Sequence, residues 1–147
     1  MNIKDQLNKN LKTAMKEKDK IKTKVIRMSL SSIKLAEVEV GGELEENRIL
    51  AILQKEIKTR EETIAEAEKA NRPEMIKELN EEIAAIKEFL PTEIDDEALG
   101  RIIDEVIAKT KAESIKDMGL VMKESISRVA GRASNDRISK IVREKLS

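Results

Sequence analysis

The sequence predicts an all-α fold, and three observations carry that prediction. Apolar residues recur mostly three and four positions apart, the period of a helix with one buried face. Only five glycines and two prolines interrupt the 147 residues. Most of them fall at the ends of periodic stretches, where helices stop and start. The expected architecture is an N-terminal four-helix part over 1–90, containing a long antiparallel helical hairpin. A small C-terminal three-helix domain over 91–147 follows it. A chain of this length buries a modest core, as one domain or two small ones.

The first helix carries Ile3, Leu7, Leu11, Ala14 and Met15 on one face. Asp19 is placed to cap a second helix, whose stripe is Ile21, Val25, Met28 and Leu35, widened by Ile26, Leu30 and Ile33. A stripe that wide implies burial on more than one side. Gly41-Gly42 ends this helix, because glycine accepts the left-handed conformation of a helix stop. The longest helix runs from about Leu44 to Ala70, with Leu50, Leu53, Ile57 and Ile64 at heptad spacing and Arg60 at an intervening seam position. Asn71-Arg72-Pro73 makes the turn, with Pro73 suited to the first position of the next helix. There Ile76, Leu79, Ile83, Ile86 and Leu90 form a second heptad stripe. Two such helices joined by a short turn favour pairing within the chain, with an intermolecular coiled coil as the alternative.

Leu90-Pro91 is the expected boundary between the two parts, since proline ends the helix before it. Asp95 then caps a helix with an acidic first turn, Ile94 and Leu99 stand at hydrophobic-staple spacing, and Leu99, Ile102, Ile103, Val106 and Ile107 supply its buried face. Ser114 and Asp117 make a capping-box-like pair before a sixth helix with Met118, Val121, Met122 and Ile126 inside. Gly119 within it is explained either by close approach of another backbone or by tolerance of a helix-weakening residue. Gly131 breaks the chain, Ser134 caps the seventh helix, and Ile138, Ile141, Val142 and Leu146 face inward.

Composition removes several kinds of chemistry. The chain has no cysteine and no histidine, so it lacks a thiolate nucleophile, a disulfide framework, and the commonest general base and metal ligand. Phe89 is the single aromatic residue, which leaves almost no stacking surface for unpaired bases. Basic and acidic residues both number 29, but they are segregated. Residues 1–34 hold 10 basic and 3 acidic side chains, 35–90 hold 8 and 15, 91–113 hold 3 and 7, and 114–147 hold 8 and 4. Local fields therefore matter more than the zero net charge. The N-terminus lacks the apolar segment of a signal peptide, and no apolar run approaches membrane-spanning length, so a cytoplasmic location and no membrane partner are expected.

The one enzyme-like string, Ser31-Ser32-Ile33-Lys34, fits Ser-x-x-Lys but lacks the supporting Ser-Asp-Asn and Lys-Thr-Gly motifs. The acidic pairs Glu45-Glu46, Glu61-Glu62 and Glu81-Glu82 read as solvated faces with lysines at ion-pair spacing. No phosphate-binding glycine loop is present, and no catalytic residue, metal, cofactor or small-molecule substrate is expected. Seven of the eight basic residues of the last block are the candidate contacts for a polyanion: Lys116, Lys123, Arg128, Arg132, Arg137, Lys140 and Arg143. Arg132 precedes the cap at Ser134, so a phosphate at that helix N-terminus would meet backbone N–H groups and a guanidinium, with Asp136 opposing it. Ordinary solubilising surface charge is the alternative. A second basic block, Lys16, Lys18, Lys20, Lys22, Lys24 and Arg27, is expected to be spread around its helix by helical phase.

Asn71-Arg72-Pro73-Glu74-Met75, Phe89-Leu90-Pro91 followed by Ile94 to Leu99, Lys116 to Met122, and Gly131-Arg132-Ala133-Ser134 leading into Ile138 to Val142 resemble the GatB/YqeY family in order and spacing. The resemblance covers essentially the whole chain and is to the stand-alone YqeY-like form, similar to the tail domain of the B subunit of tRNA-dependent amidotransferase. Ser134 stands where family members commonly have aspartate; both cap a helix. The resemblance implies a two-part helical fold and a non-catalytic, tRNA-associated role. A carbon–nitrogen ligase label with glutamine as amido donor would be inherited from other domains and subunits. Folded tRNA would be met by shape and phosphate through the C-terminal domain. The alternative is a protein adaptor docking on an aminoacyl-tRNA synthetase or an amidotransferase without touching RNA.

Overall fold

Short polar side chains open most of the helices, each accepting a backbone N–H that the first turn leaves without a partner. Asn2 takes the N–H of Asp5 at 2.8 Å, Asp19 that of Lys22 at 3.0 Å, Asp95 that of Ala98 at 2.8 Å and Ser134 that of Arg137 at 3.2 Å. The computed structural model describes residues 2–147, and among the described residues every regular element is helical. In order these are α1 (Ile3–Lys16), α2 (Lys20–Val40), α3 (Glu46–Lys69), α4 (Pro73–Lys87), α5 (Asp96–Thr110), α6 (Met118–Val129) and α7 (Asn135–Leu146). The Ser114/Asp117 capping box opens a single 3-10 turn, Ile115–Asp117, which leads into α6. Gly41 closes α2 at φ 75°, and Pro73 is in the first turn of α4, as expected of each. The chain divides into two compact units, Met1–Leu90 and Pro91–Ser147.

In the first unit α2 touches α1, α3 and α4. That answers to its wide apolar stripe, but the inward arc is not the expected one. Val25, Ile26, Ser29 and Ile33 are buried, whereas Met28 is 46% and Leu35 63% exposed. Met28 lies one residue, about 100°, from Ser29, and Leu35 lies two residues, about 200°, from Ile33. Helical phase thus turns both away once Ser29 points inward. Ser29 points inward because it has a partner: its hydroxyl donates to Glu56 Oε2 at 2.7 Å. Met15, expected inside α1, is likewise half exposed. Ile3 and Leu7 complete the core with Ile49, Leu50, Leu53 and Ile57 of α3, Ile83 and Ile86 of α4, and Phe89.

Arg60 and Glu82 are the charged residues of that core, with Arg60 Nε donating to Glu82 Oε1 at 3.3 Å. Arg60 Nη1 also donates to the carbonyl of Glu56 at 3.0 Å, so the guanidinium keeps partners while out of water. Glu82 corrects the reading of Glu81-Glu82 as a wholly solvated pair. The seam residue on α3 is a cation, and α4 answers it with a carboxylate. Glu46 also departs from a purely solvated role, since its Oε1 accepts the N–H of Ile3 at 2.9 Å.

In the second unit α5, α6 and α7 each touch the other two. Leu99, Ile103 and Val106 meet Val121 and Val129 of α6 and Ile138, Val142 and Leu146 of α7. Ser125 and Val129 take inward positions on α6 alongside Val121, while Met118, Met122 and Ile126 are only partly buried. A β-carbon added at Gly119 would meet nothing within 4 Å, so close backbone approach is not what places glycine there.

Burying a carboxylate's partner without the carboxylate is far costlier than replacing both. Glu82→Ala is therefore expected to lower unfolding free energy by about 3–5 kcal/mol, with Arg60→Met plus Glu82→Leu recovering most of it. Urea denaturation of the two variants checks this. A second expectation concerns acid. The hydrogen bond from Lys4 Nζ, aided by the Leu44 N–H and opposed by desolvation, holds the Glu37 carboxyl below the usual glutamate range. A lowered carboxyl pKa stabilises the fold above the unfolded value and loses that contribution as pH falls through the folded one. Glu37→Gln should be less stable than the parent at neutral pH and indistinguishable from it at strongly acidic pH, by the same measurement.

Candidate nucleic-acid interface

The eight basic residues between Ser114 and Ser147 come from the 3-10 turn, α6, the α6–α7 turn and α7. Folding sorts them into two sets. α5, which opens with an acidic first turn, takes up three of the side chains. Arg128 Nη1 reaches Glu105 at 3.4 Å, Arg137 Nη2 reaches Asp96 at 2.7 Å, and Lys145 Nζ reaches Asp104 at 2.8 Å. Arg137 Nη2 also donates to the carbonyl of Ile94 at 2.8 Å, tying α7 to the segment that leads into α5.

Arg132 is held differently. Its Nε donates to the carbonyl of Val129 at 2.9 Å and its Nη2 to that of Arg128 at 3.0 Å. The last carbonyls of a helix lack intrahelical partners and carry the negative end of its dipole, so a guanidinium is suited to them. α6 needs this because it ends on Ala130, an alanine in the left-handed region at φ 50°. Ser134 caps α7 as expected, but the guanidinium expected beside a phosphate at that cap is engaged with α6.

Lys116, Lys123, Lys140 and Arg143 make up the second set. All four side chains are exposed, and none has an ion pair or a hydrogen bond among the described residues. Lys140 shares a groove of about 610 Å³ between α5 and α7 with Asp96, Gly100, Arg137, Glu144 and Lys145. Lys145 was not among the expected contacts, although its groove was legible in part. Arg137, Lys140, Ile141 and Glu144 follow the i, i+3, i+4, i+7 spacing of one helical face. What spacing did not reveal is that Asp96 from α5 would enter the same groove. The structure therefore brings Arg137 and Lys140 together and leaves Lys116 and Lys123 on other elements.

The N-terminal basic block departs from expectation. Lys18, Lys20, Lys24 and Arg27 line one cleft, while Lys22 pairs with Glu88 at 3.2 Å. Ser31 and Lys34 of the Ser-x-x-Lys string are both outside the core, and no hydrogen bond joins them among the described residues. Among the described residues no group of three or more acidic side chains is arranged to hold a metal ion, and no helix is long and apolar enough to cross a membrane.

A family model described as Yqey-like protein matches residues 4–146. No curated protein matches the chain.

The two sets of cations separate on stability. Removing Arg132 takes the side-chain donor from the carbonyl of Arg128, and removing Arg137 takes it from that of Ile94, so each alanine variant is expected to lose about 1–3 kcal/mol. Lys140→Ala and Arg143→Ala should stay within about 0.5 kcal/mol of the parent. Thermal and chemical denaturation of the four single variants measures the contrast.

Proposed function

The chain belongs to the YqeY-like protein family, and from that premise we propose that it is a non-catalytic accessory protein acting on folded tRNA. In this reading residues 1–90 form a four-helix part with a long antiparallel hairpin, and residues 91–147 form a three-helix domain that carries the RNA contacts. The observation that carries it is the set of exposed cations without partner carboxylates, Lys116, Lys123, Lys140 and Arg143. Such cations bind phosphate with release of counterions, whereas a cation already paired must first give up its carboxylate. Arg128, Arg132 and Arg137 stand beside them and serve mainly to hold the helices that present them. A single aromatic residue leaves shape and phosphate as the means of recognition. With no histidine or cysteine to act as base or nucleophile, a carbon–nitrogen ligase activity would belong to a larger assembly rather than to this chain. Its place of action is the cytoplasm.

A second reading, a protein adaptor for an aminoacyl-tRNA synthetase or an amidotransferase, is favoured by one observation. Leu35 and Val38 on α2 are 63% and 71% exposed, and Met28 lies on the same helical face. Large apolar side chains grouped on one exposed face are more characteristic of contact surfaces than of solvated ones.

Filter binding of a folded tRNA across a salt series tests the first reading. Affinity should fall steeply with salt. Lys123→Glu with Lys140→Glu should lower affinity by about tenfold or more and reduce the salt slope by roughly 1.5–2. Unchanged binding in that variant would sink the site assignment. Co-purification from lysate with and without nuclease separates the readings, because partners that survive nuclease favour the adaptor.

A further inference from the structure

The basic residues of the first unit that the tRNA reading leaves unused converge on one concavity. Lys20, Lys24 and Arg27 follow one face of α2 at i, i+4 and i+7, and the α1–α2 turn brings Lys18 to the same cleft, of about 480 Å³. Thr23 adds a hydroxyl and Met15 an apolar wall. Among the described residues the one carboxylate lining the cleft, Asp19, uses Oδ1 to accept the N–H of Lys22 at 3.0 Å.

Little inside the fold neutralises these cations. Lys18 and Lys20 have no ion pair among the described residues. The Arg27 guanidinium donates to the thioether of Met15 at 3.9 Å, and Lys24 pairs at long range with Glu78 at 3.8 Å and Glu82 at 3.7 Å. With Glu78 and Glu82 reaching only Lys24, the charges of Lys18, Lys20 and Arg27 face one lining carboxylate, Asp19, and an added anion would relieve their mutual repulsion. A group with several oxygens spread over a tetrahedron can accept from a guanidinium fork, ammonium groups and a hydroxyl at once, which a single carboxylate cannot. A cleft of this size also falls within the range of small-ligand sites and exceeds what one ion fills.

We propose that this cleft is a phosphate-binding site, taking a phosphomonoester or polyphosphate group. The group is carried either by a small metabolite or by the 5′ end of an RNA. The site lies within Met1–Leu90 and does not depend on the tRNA reading of residues 114–147.

The test uses the intact protein and inorganic tripolyphosphate as probe, with binding read by calorimetry. Lys18 sits in the left-handed region at φ 57°, where glycine is preferred, so Lys18→Gly removes a cation without endangering the fold. Lys18→Gly with Arg27→Gln is expected to weaken tripolyphosphate binding by about tenfold or more, with no fall in the ligand-free melting temperature. Lys34→Gln, an exposed cation of α2 outside the cleft, should leave binding unchanged. Two short RNAs, one 5′-phosphorylated and one 5′-hydroxyl, then identify the source. Discrimination lost in the double variant points to an RNA end, and its absence beside intact tripolyphosphate binding points to a metabolite. Three results would overturn the site: no saturable binding in the parent, equal binding in the double variant, or equal weakening by Lys34→Gln.

Discussion

The buried contact between Arg60 and Glu82 is the constraint on which the first unit is built. Out of water neither charge is tolerable alone, so α3 and α4 have to bring these two side chains together and keep further partners around them. The Glu56 carbonyl supplies one, and the Lys24 ammonium, 3.7 Å from Glu82, supplies another from α2. Ser29 joins α2 to α3 through the Glu56 side chain. Sliding any of the three helices by a turn would separate a charge from its partner. Apolar packing alone sets no such register, since one leucine replaces another at modest cost. In this unit the core supplies the driving force and the polar contacts choose the alignment.

In the second unit electrostatics decides which surface remains available. The carboxylates of α5 meet two arginines and a lysine of α6 and α7, and the α6 terminus meets Arg132. A segment with twice as many basic as acidic residues thus presents only part of that charge to solvent. The guanidinium groups, suited to several hydrogen bonds at once, mostly serve the fold, and among the described residues of 114–147 lysines make up three of the four exposed unpaired cations. Lys140 shares its groove with Arg137 and Lys145, whose charges are taken up by Asp96 and Asp104, while Lys116 and Lys123 stand on other elements. The α1–α2 cleft is built the opposite way, with its cations grouped and its carboxylate engaged.

Most of the local architecture was legible in the sequence, because the rules that govern it act within about four residues. Asp19, Asp95 and Ser134 cap helices by reaching three residues ahead, and Gly41 stops one by its own backbone freedom. Family membership was legible too, since it rests on ordered motifs along nearly the whole chain. Burial at the margins was less so. Met28 and Leu35 have the composition of core residues, and only the inward turn of Ser29 toward Glu56 excludes them.

The sequence by itself determined that the chain is helical, where most helices begin and end, and that thiol and imidazole chemistry are absent. Tertiary structure alone decided which charges are free. Arg60 meets a carboxylate 22 residues away and Arg137 a carbonyl 43 residues away, and no local spacing encodes either contact. Neutralisation is a property of neighbours in space, and the chain reveals those neighbours only once helices from distant segments have packed.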